Sequence, residues 1–241
     1  VEQEQRRSIR EAGLRHSTRM PTLNYDQDGA ALHHRRAASL LGKLEQVLTT
    51  CSRDRAGIRL AGITGLAALL KHDTAIGSVA AAHLGSSARP VRAILFDKSP
   101  TTNWALGWHQ DRTIAVQARH EIDGFSPWSV KAGIPHVEPP FALIEGMVTL
   151  RIHLDDVPPD NAPLLVARGS HRLGRIAEAD VDATVARCGV AMCCAVRGDI
   201  WCYATPILHA SAAASGHAHR RVLQVDFSAT QLPDPLVWYG I

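Results

Sequence analysis

No stretch of the 241 residues approaches the roughly 18 consecutive apolar positions that a membrane-spanning helix needs. A membrane partner is therefore not expected. Charge of one sign is lacking too: a formal net charge of +3 offers no basic face for nucleic acid or an anionic lipid surface. The five cysteines, Cys51, Cys188, Cys193, Cys194 and Cys202, are odd in number and contain no CxxC spacing. Cys193 and Cys194 are adjacent, a poor disulfide pair in an ordinary strand. A reduced, cytoplasmic chain is expected, without a disulfide framework or a zinc cluster. The run Val1-Glu2-Gln3-Glu4-Gln5-Arg6-Arg7 leads into no apolar segment, so no signal peptide is recognisable, and without a starting Met the chain reads as trimmed. Internal repeats and low-complexity tracts are also missing. Neither composition nor charge speaks to an oligomeric state.

What is present is an ordinary globular composition, 46% hydrophobic and 20% charged. A chain of this size buries roughly 70–75% of its unfolded surface and needs no staple, so one domain over residues 1–241 is expected. Residues 1–88 read as mainly helical. Ala30 to Thr50 places Leu32, Leu40, Leu41, Leu44, Val47 and Leu48 near helical spacing. Thr64 is placed to cap a helix over Gly65 to Lys71, and Thr74 another that runs to Leu84 before Gly85. Beyond that point the apolar runs become short and β-branched. Strands are expected over Val91–Asp97, Met147–Leu154, Leu164–Ala167, Gly189–Val196, Ile200–Tyr203, Ile207–His209 and Arg221–Phe227. The fold class is thus mainly β with flanking helices, a sandwich or barrel over residues 89–230. The Gly- and Pro-punctuated stretch from Asp123 to Pro140, with Phe125, Trp128 and His136, reads as a long lid or binding loop.

Two short stretches carry the chemistry: Trp108-His109-Gln110-Asp111, and His209-Ala210-Ser211 followed by Arg220. Residues i and i+2 of a strand share a face, about 6.6–6.8 Å apart, so His109 and Asp111 can converge on one ion. A histidine from a distant strand completes a 2-His-1-carboxylate face, the arrangement of non-haem Fe(II) oxygenases, with positions left for a chelating 2-oxo acid and dioxygen. Chance alone provides such triplets in a chain of this composition. His153-Leu154-Asp155 is a second, and His136-Val137-Glu138 offers a His-x-Glu. Context separates them. Asp155-Asp156-Val157-Pro158-Pro159 reads as a strand entering a turn, where aspartates accept backbone N–H bonds. His109 instead follows the crowded approach Trp104-Ala105-Leu106-Gly107-Trp108.

Taken in order, Trp108-His109-Gln110-Asp111, Asn161-Ala162-Pro163-Leu164, Gly169-Ser170-His171-Arg172-Leu173-Gly174, Gly198-Asp199 and His209-Ala210-Ser211 with Arg220 resemble the phytanoyl-CoA dioxygenase family. The resemblance runs from about Val91 to Phe227. It implies a double-stranded β-helix (a jelly-roll, cupin-like barrel) preceded by N-terminal helices. It also implies Fe(II) held by His109, Asp111 and His209, with 2-oxoglutarate and O2 as cosubstrates. The resemblance selects Arg220 to grip the 5-carboxylate of 2-oxoglutarate and places Gln110 near the cosubstrate.

Strand parity supports part of this. Arg220 shares a face with Val222, Gln224 and Asp226, while Arg221 shares the apolar face of Leu223, Val225 and Phe227. A planar guanidinium meets a carboxylate with two parallel bonds, although a solvated surface charge is the plain alternative, and the one expected for Arg221. Ser211 points with His209 and can add a hydroxyl bond. Thr149, Arg151 and His153 form a polar face opposite Val148, Leu150, Ile152 and Leu154, which makes Arg151 and His153 candidates for substrate or cosubstrate contact. Arg151 could equally pair with Asp155. Lys98 could reach a carboxylate in the site or remain a solvated strand-end lysine. His171 is expected to stabilise its loop, His217 and His219 to be exposed, and Trp128 and Trp201 to pack.

The implied activity is a 2-oxoglutarate-dependent dioxygenase that hydroxylates an unactivated C–H bond of a small organic substrate and releases succinate and CO2. Retention of Asp111 argues against halogenation, since a halide needs the place the carboxylate fills. Two other classes stay open: a non-catalytic metal- or ligand-binding cupin-like barrel, and a zinc hydrolase using the same three side chains.

Overall fold

The chain alternates faces along three central strands, and that alternation decides what lies where. In a computed structural model, which describes residues 22–49, 51, 57–98, 104–214 and 219–241, the elements in order begin with α1 (Tyr25–Asp28), β1 (Ala30–His33), α2 (Leu41–Leu48), β2 (Gly57–Leu60), α3 (Leu66–Leu69) and α4 (Gly77–Leu84). Next come β3 (Arg89–Lys98), β4 (Leu106–His109), β5 (Ile114–Ala115), β6 (Trp128–Lys131), β7 (Ile134–Val137) and α5 (Phe141–Glu145). The last are β8 (Met147–His153), β9 (Leu164–Ala167), α6 (Val181–Cys188), β10 (Val190–Cys193), β11 (Ile200–Ala204), β12 (His209–Ser211) and β13 (Arg220–Ser228). The protein is mainly β. Its strands form a six-stranded sheet in the order β1-β11-β8-β13-β3-β2, a four-stranded sheet β10-β9-β12-β4 and a three-stranded sheet β5-β7-β6. Every pairing within them is antiparallel.

One face of the six-stranded sheet is apolar. Leu95 of β3, Leu150 and Ile152 of β8, and Leu223, Val225 and Phe227 of β13 pack there against Leu41, Leu44 and Leu48 of α2 and Val79 and Ala80 of α4. The opposite face looks toward the four-stranded sheet. Trp201 and Tyr203 of β11 meet Leu164 and Val166 of β9 and Cys193 of β10 across that gap. Because β13 pairs with β8 and β3, the inward residues form rows: Lys98 beside Arg220, Phe96 beside Val222 and His153, Ile94 beside Gln224 and Arg151, and Arg92 beside Asp226 and Thr149. The parity assigned to Arg220, Arg151 and His153 is the parity observed.

The N-terminal part differs from expectation. The helix expected from Ala30 begins only at Leu41, because Ala30–His33 is drawn into the sheet as an edge strand against Ile200–Tyr203. Gly57–Leu60 likewise becomes the other edge strand, against β3. Residues before 89 therefore close both edges of the large sheet as well as supplying helices. The cap expected at Thr64 is not used: Gly65 stands at the helix start with φ 86°, a conformation that glycine adopts without a Cβ clash. Thr74 does cap, its Oγ1 accepting from Gly77 N at 3.0 Å. Thr50, expected to end the first helix, lies outside the described residues.

Two β expectations also need correction. The strand expected at Ile207 starts at His209, since Ala204 to Ile207 forms a turn closed by Ile207 N on Ala204 O at 3.0 Å. The long loop from Asp123 to Pro140 contains a hairpin instead, β6 and β7 joined through Ala132 and Gly133 at φ 52° and 79°. Two consecutive positive φ values match the twist of a tight hairpin. Among the described residues no helix is long and apolar enough to cross a membrane.

Leu44 is fully buried between α2 and the sheet. Leu44→Ala is expected to cost about 2–5 kcal/mol, read as a lowered midpoint of urea denaturation.

Candidate metal centre and its surroundings

β12 runs antiparallel to β4 with His209 directly opposite His109. Side chains so paired stand on one face with Cβ atoms about 4.5–5.5 Å apart, and the two imidazole centroids are 4.3 Å apart. Asp111 lies two residues past His109, just beyond the end of β4, and its carboxylate joins the pair. The ligand-capable atoms of His109, Asp111 and His209 all lie within 4.8 Å of one another, the one such group among the described residues. Both rings are oriented by the chain itself. His109 Nδ1 donates to Gly107 O at 2.8 Å and His209 Nδ1 to Ile207 O at 3.0 Å, which fixes the proton on Nδ1 and leaves each Nε2 a bare donor for a metal.

Electrostatics keeps His209 and Asp111 in their ligating forms. Burial, then the neighbouring His109, pushes His209 down to about 3, so its ring is neutral. Burial alone would raise the Asp111 carboxyl, but the Arg92 guanidinium outweighs it and holds the group at about 2. A neutral imidazole at His209 and an ionised carboxylate at Asp111 suit a divalent transition metal.

Arg92 holds the carboxylate from behind. Its Nη2 donates to Asp111 Oδ2 at 3.2 Å and its Nε to Asp226 Oδ2 at 2.5 Å. The other oxygen of Asp226 accepts from Thr149 Oγ1 at 3.0 Å, and Thr149 is bonded to Thr205 Oγ1 at 3.0 Å. This chain of bonds ties Asp111 to β3, β8 and β13. Sequence reasoning missed Arg92, Asp226 and Thr149 as parts of the site. Strand parity marked Asp226 and Thr149 as inward, but no local pattern reveals which strand lies beside which.

A second group of cations fills the far end of the same face. Arg220 is 2% exposed, donates through Nη1 to Ala162 O, and keeps a buried Nε without a partner. Burial, then Arg151, pushes it down to about 9. Arg151 donates to Gln224 Oε1 at 3.1 Å, not to Asp155, and its Nε is also unpartnered. His153 is buried beside both arginines with neither ring nitrogen bonded, and burial drives it well below its usual range. Lys98 is not a solvated strand end. It is 2% exposed, and its Nζ donates to Ser211 Oγ at 2.9 Å, Trp104 O at 2.6 Å and Ala212 O at 3.2 Å. Burial, then Arg220 and Arg151, lowers it to about 7. Among the described residues none of Lys98, Arg151 and Arg220 forms an ion pair.

Other expectations are corrected. Gln110 does not reach toward this group: its Nε2 donates to Pro206 O at 2.7 Å and Gly174 O at 3.0 Å, and its Oε1 accepts from Ile176 N at 2.9 Å. Its amide is saturated by three backbone groups, so it clamps loops together. Arg221 is not a solvated charge but joins Asp155 at 2.6 Å and Glu45 at 3.1 Å. That pairing turns Asp155 away from His153, so the second His-x-Asp triplet does not converge. His136 and Glu138 also separate, His136 being buried and Glu138 paired with Arg175 at 2.7 Å. His171 contacts the backbone of Asp26, a loop-fixing place, while Trp201 is buried and Trp128 packs in the apolar cluster around β5 and β7. His219 is exposed yet sits 3.1 Å from Asp97 Oδ1, and His217 lies outside the described residues.

Solved structures share this fold. AviO1 from Streptomyces viridochromogenes Tue57 matches with 21% identity over 87% of this chain and 93% of its own, at a TM-score of 0.56. EctD from S. alaskensis, solved with 2-oxoglutarate and 5-hydroxyectoine, matches with 16% identity over 90% and 77%, at 0.61. HygX from Streptomyces hygroscopicus, solved with nickel and 2-oxoglutarate, matches with 12% identity over 87% and 86%, at 0.57. No curated protein matches the chain significantly in sequence. The phytanoyl-CoA dioxygenase (PhyH) profile matches residues 59–222, more than half of the chain. With the ordered motifs, the sheet pairing and that match in agreement, the chain belongs to the phytanoyl-CoA dioxygenase family.

Proposed function

We propose that the protein is an Fe(II)- and 2-oxoglutarate-dependent dioxygenase that hydroxylates an unactivated C–H bond of a small organic substrate. In this reading the two large sheets are the halves of a double-stranded β-helix, and His109, Asp111 and His209 hold the iron. The observation that carries it is the meeting of these three side chains between sheets whose inner face also holds an uncompensated group of cations. Iron with 2-oxoglutarate and dioxygen supplies the oxidation, the cosubstrate leaving as succinate and CO2 while one oxygen atom goes to a substrate carbon. Family membership and the cosubstrates bound by EctD and HygX support the same class. A structural neighbour, SnoK from nogalamycin biosynthesis, is a 2-oxoglutarate-dependent carbocyclase, so the same fold also supports ring formation.

The chain's own residues do the rest. Arg220, with a free buried Nε, takes the distal carboxylate of 2-oxoglutarate, assisted by Ser211. Lys98 holds the Ser211 hydroxyl in place and adds positive potential. Arg151 and His153 complete the wall beside it. Arg92 keeps Asp111 ionised and oriented, so no separate general base is needed to prepare the metal site.

Anaerobic addition of Fe(II) and then 2-oxoglutarate should give the weak visible charge-transfer band of the chelate, and substrate screening should give stimulated succinate release. A metal- or ligand-binding protein without turnover gives no succinate with any substrate. His109→Ala and Asp111→Ala are expected to abolish both band and turnover, whereas His153→Ala keeps iron binding; loss of iron in His153→Ala alone would point to the other triplet. Arg92→Met should weaken Fe(II) affinity about 10–100-fold, as removal of outer partners of metal ligands typically does, measured by competitive chelation. Arg220→Met should raise the KM for 2-oxoglutarate by about tenfold or more, the loss of a charge-assisted hydrogen bond worth about 1.5–3 kcal/mol.

A further inference from the structure

A second set of cations stands on the Asp111 side of the centre, away from the cluster assigned to the cosubstrate. Arg59 of β2 pairs in register with Ile94, so it shares the inward face on which Arg92 lies two residues along. Its Nε is buried and has no hydrogen-bond partner. Lys131 ends β6, and its Nζ donates to Thr113 Oγ1 at 3.1 Å, two residues after Asp111. Behind them His136 of β7 is fully buried. Its Nδ1 donates to Ile134 O at 2.9 Å, which leaves Nε2 a buried acceptor with no donor. Burial pushes His136 down to about 4, so this ring adds no charge of its own.

The charges do not balance here. Arg92 is matched by Asp226 and Asp111. Arg59 and Lys131 are both half-buried, each is lowered first by burial, and each feels the other or Arg92 as a repelling neighbour. Asp111 is the carboxylate that favours both, and it is already shared between Arg92 and the metal set. Among the described residues neither cation forms an ion pair. Nor can 2-oxoglutarate serve both sets. Arg59 and Lys131 have Arg92 and Asp111 as their charged neighbours, whereas Lys98 has Arg220 and Arg151, so the two sets are separate and a cosubstrate held by Arg220 leaves the Arg59–Lys131 pair unanswered.

Resting on the iron reading above, we infer that Arg59 and Lys131 form an anion subsite that takes a carboxylate or phosphate group of the substrate, with His136 Nε2 available to accept a hydrogen bond from the same molecule. The substrate is therefore an anionic small molecule. It enters between the β2 edge of the large sheet and the β6–β7 hairpin, and its charged end is anchored beside Asp111.

The test uses the full chain loaded anaerobically with Fe(II) and 2-oxoglutarate. Sodium sulfate is titrated calorimetrically, with sodium chloride of matched ionic strength as the control and sodium acetate in parallel. One-site binding of sulfate or acetate, weakened at least tenfold by Arg59→Met and by Lys131→Met and retained by Arg59→Lys, is the expected result. The charge-transfer band should be unchanged in all three variants, which shows that they fold and keep the metal set. Heats no larger than those of chloride, or methionine variants that bind as well as the wild type, overturn the subsite. The two readings separate cleanly. A normal band without anion binding ends the subsite alone, and anion binding lost in the variants of a protein that gives no band ends the iron reading alone.

Discussion

Four cationic side chains, Arg92, Lys98, Arg151 and Arg220, lie almost out of water between the two large sheets, and such ions are tolerated only where hydrogen bonds or opposite charge replace their hydration. The architecture around the site can be read as the answer to that requirement. Arg92 is answered within the chain by two carboxylates. Lys98 is answered by one hydroxyl and two carbonyls. Arg220 is answered in part, by the carbonyl of Ala162, a residue held at φ 50° in the turn before Pro163. The remaining demand falls on whatever binds there. Under the proposed function, an acidic cosubstrate would be a structural completion of the protein as well as a reactant.

The same alternation explains why the core does not compete with the site. On β13 the residues Leu223, Val225 and Phe227 bury against helices, while Arg220, Gln224 and Asp226, one step out of phase, face the gap. A single-residue slip in register would exchange these two sets, placing guanidinium groups in the helix-packed core and leucines in the gap between the sheets. The bonds from Arg92 to Asp226, from Arg151 to Gln224 and from Thr149 to Asp226 run between adjacent strands and resist such a slip.

Much of this was legible in the residues. The triplet His109-Gln110-Asp111, the distant His209 and the inward parity of Arg220, Arg151 and His153 follow from spacing and from the ordered motifs. What was not legible depends on non-local pairing. Ala30–His33 carries a helical pattern in isolation and becomes a strand only because β11 offers it a partner. Gln110 sits between two candidate ligands, yet its amide is consumed by carbonyls and an amide from Gly174, Ile176 and Pro206, a geometry no local pattern contains. Arg92 was invisible for the same reason, since its partners lie 19 and 134 residues away.

The β6–β7 hairpin is fastened mainly through β5 and through an apolar cluster built from Ile114, Val137, Ile144 and Leu236, and among the described residues it pairs with neither large sheet. If substrate enters beside this hairpin, as inferred above, lengthening or recolouring it would alter what is admitted while leaving the strands of His109 and His209 in place. Divergence within such a lineage can therefore proceed at the doorway while the furnace stays the same.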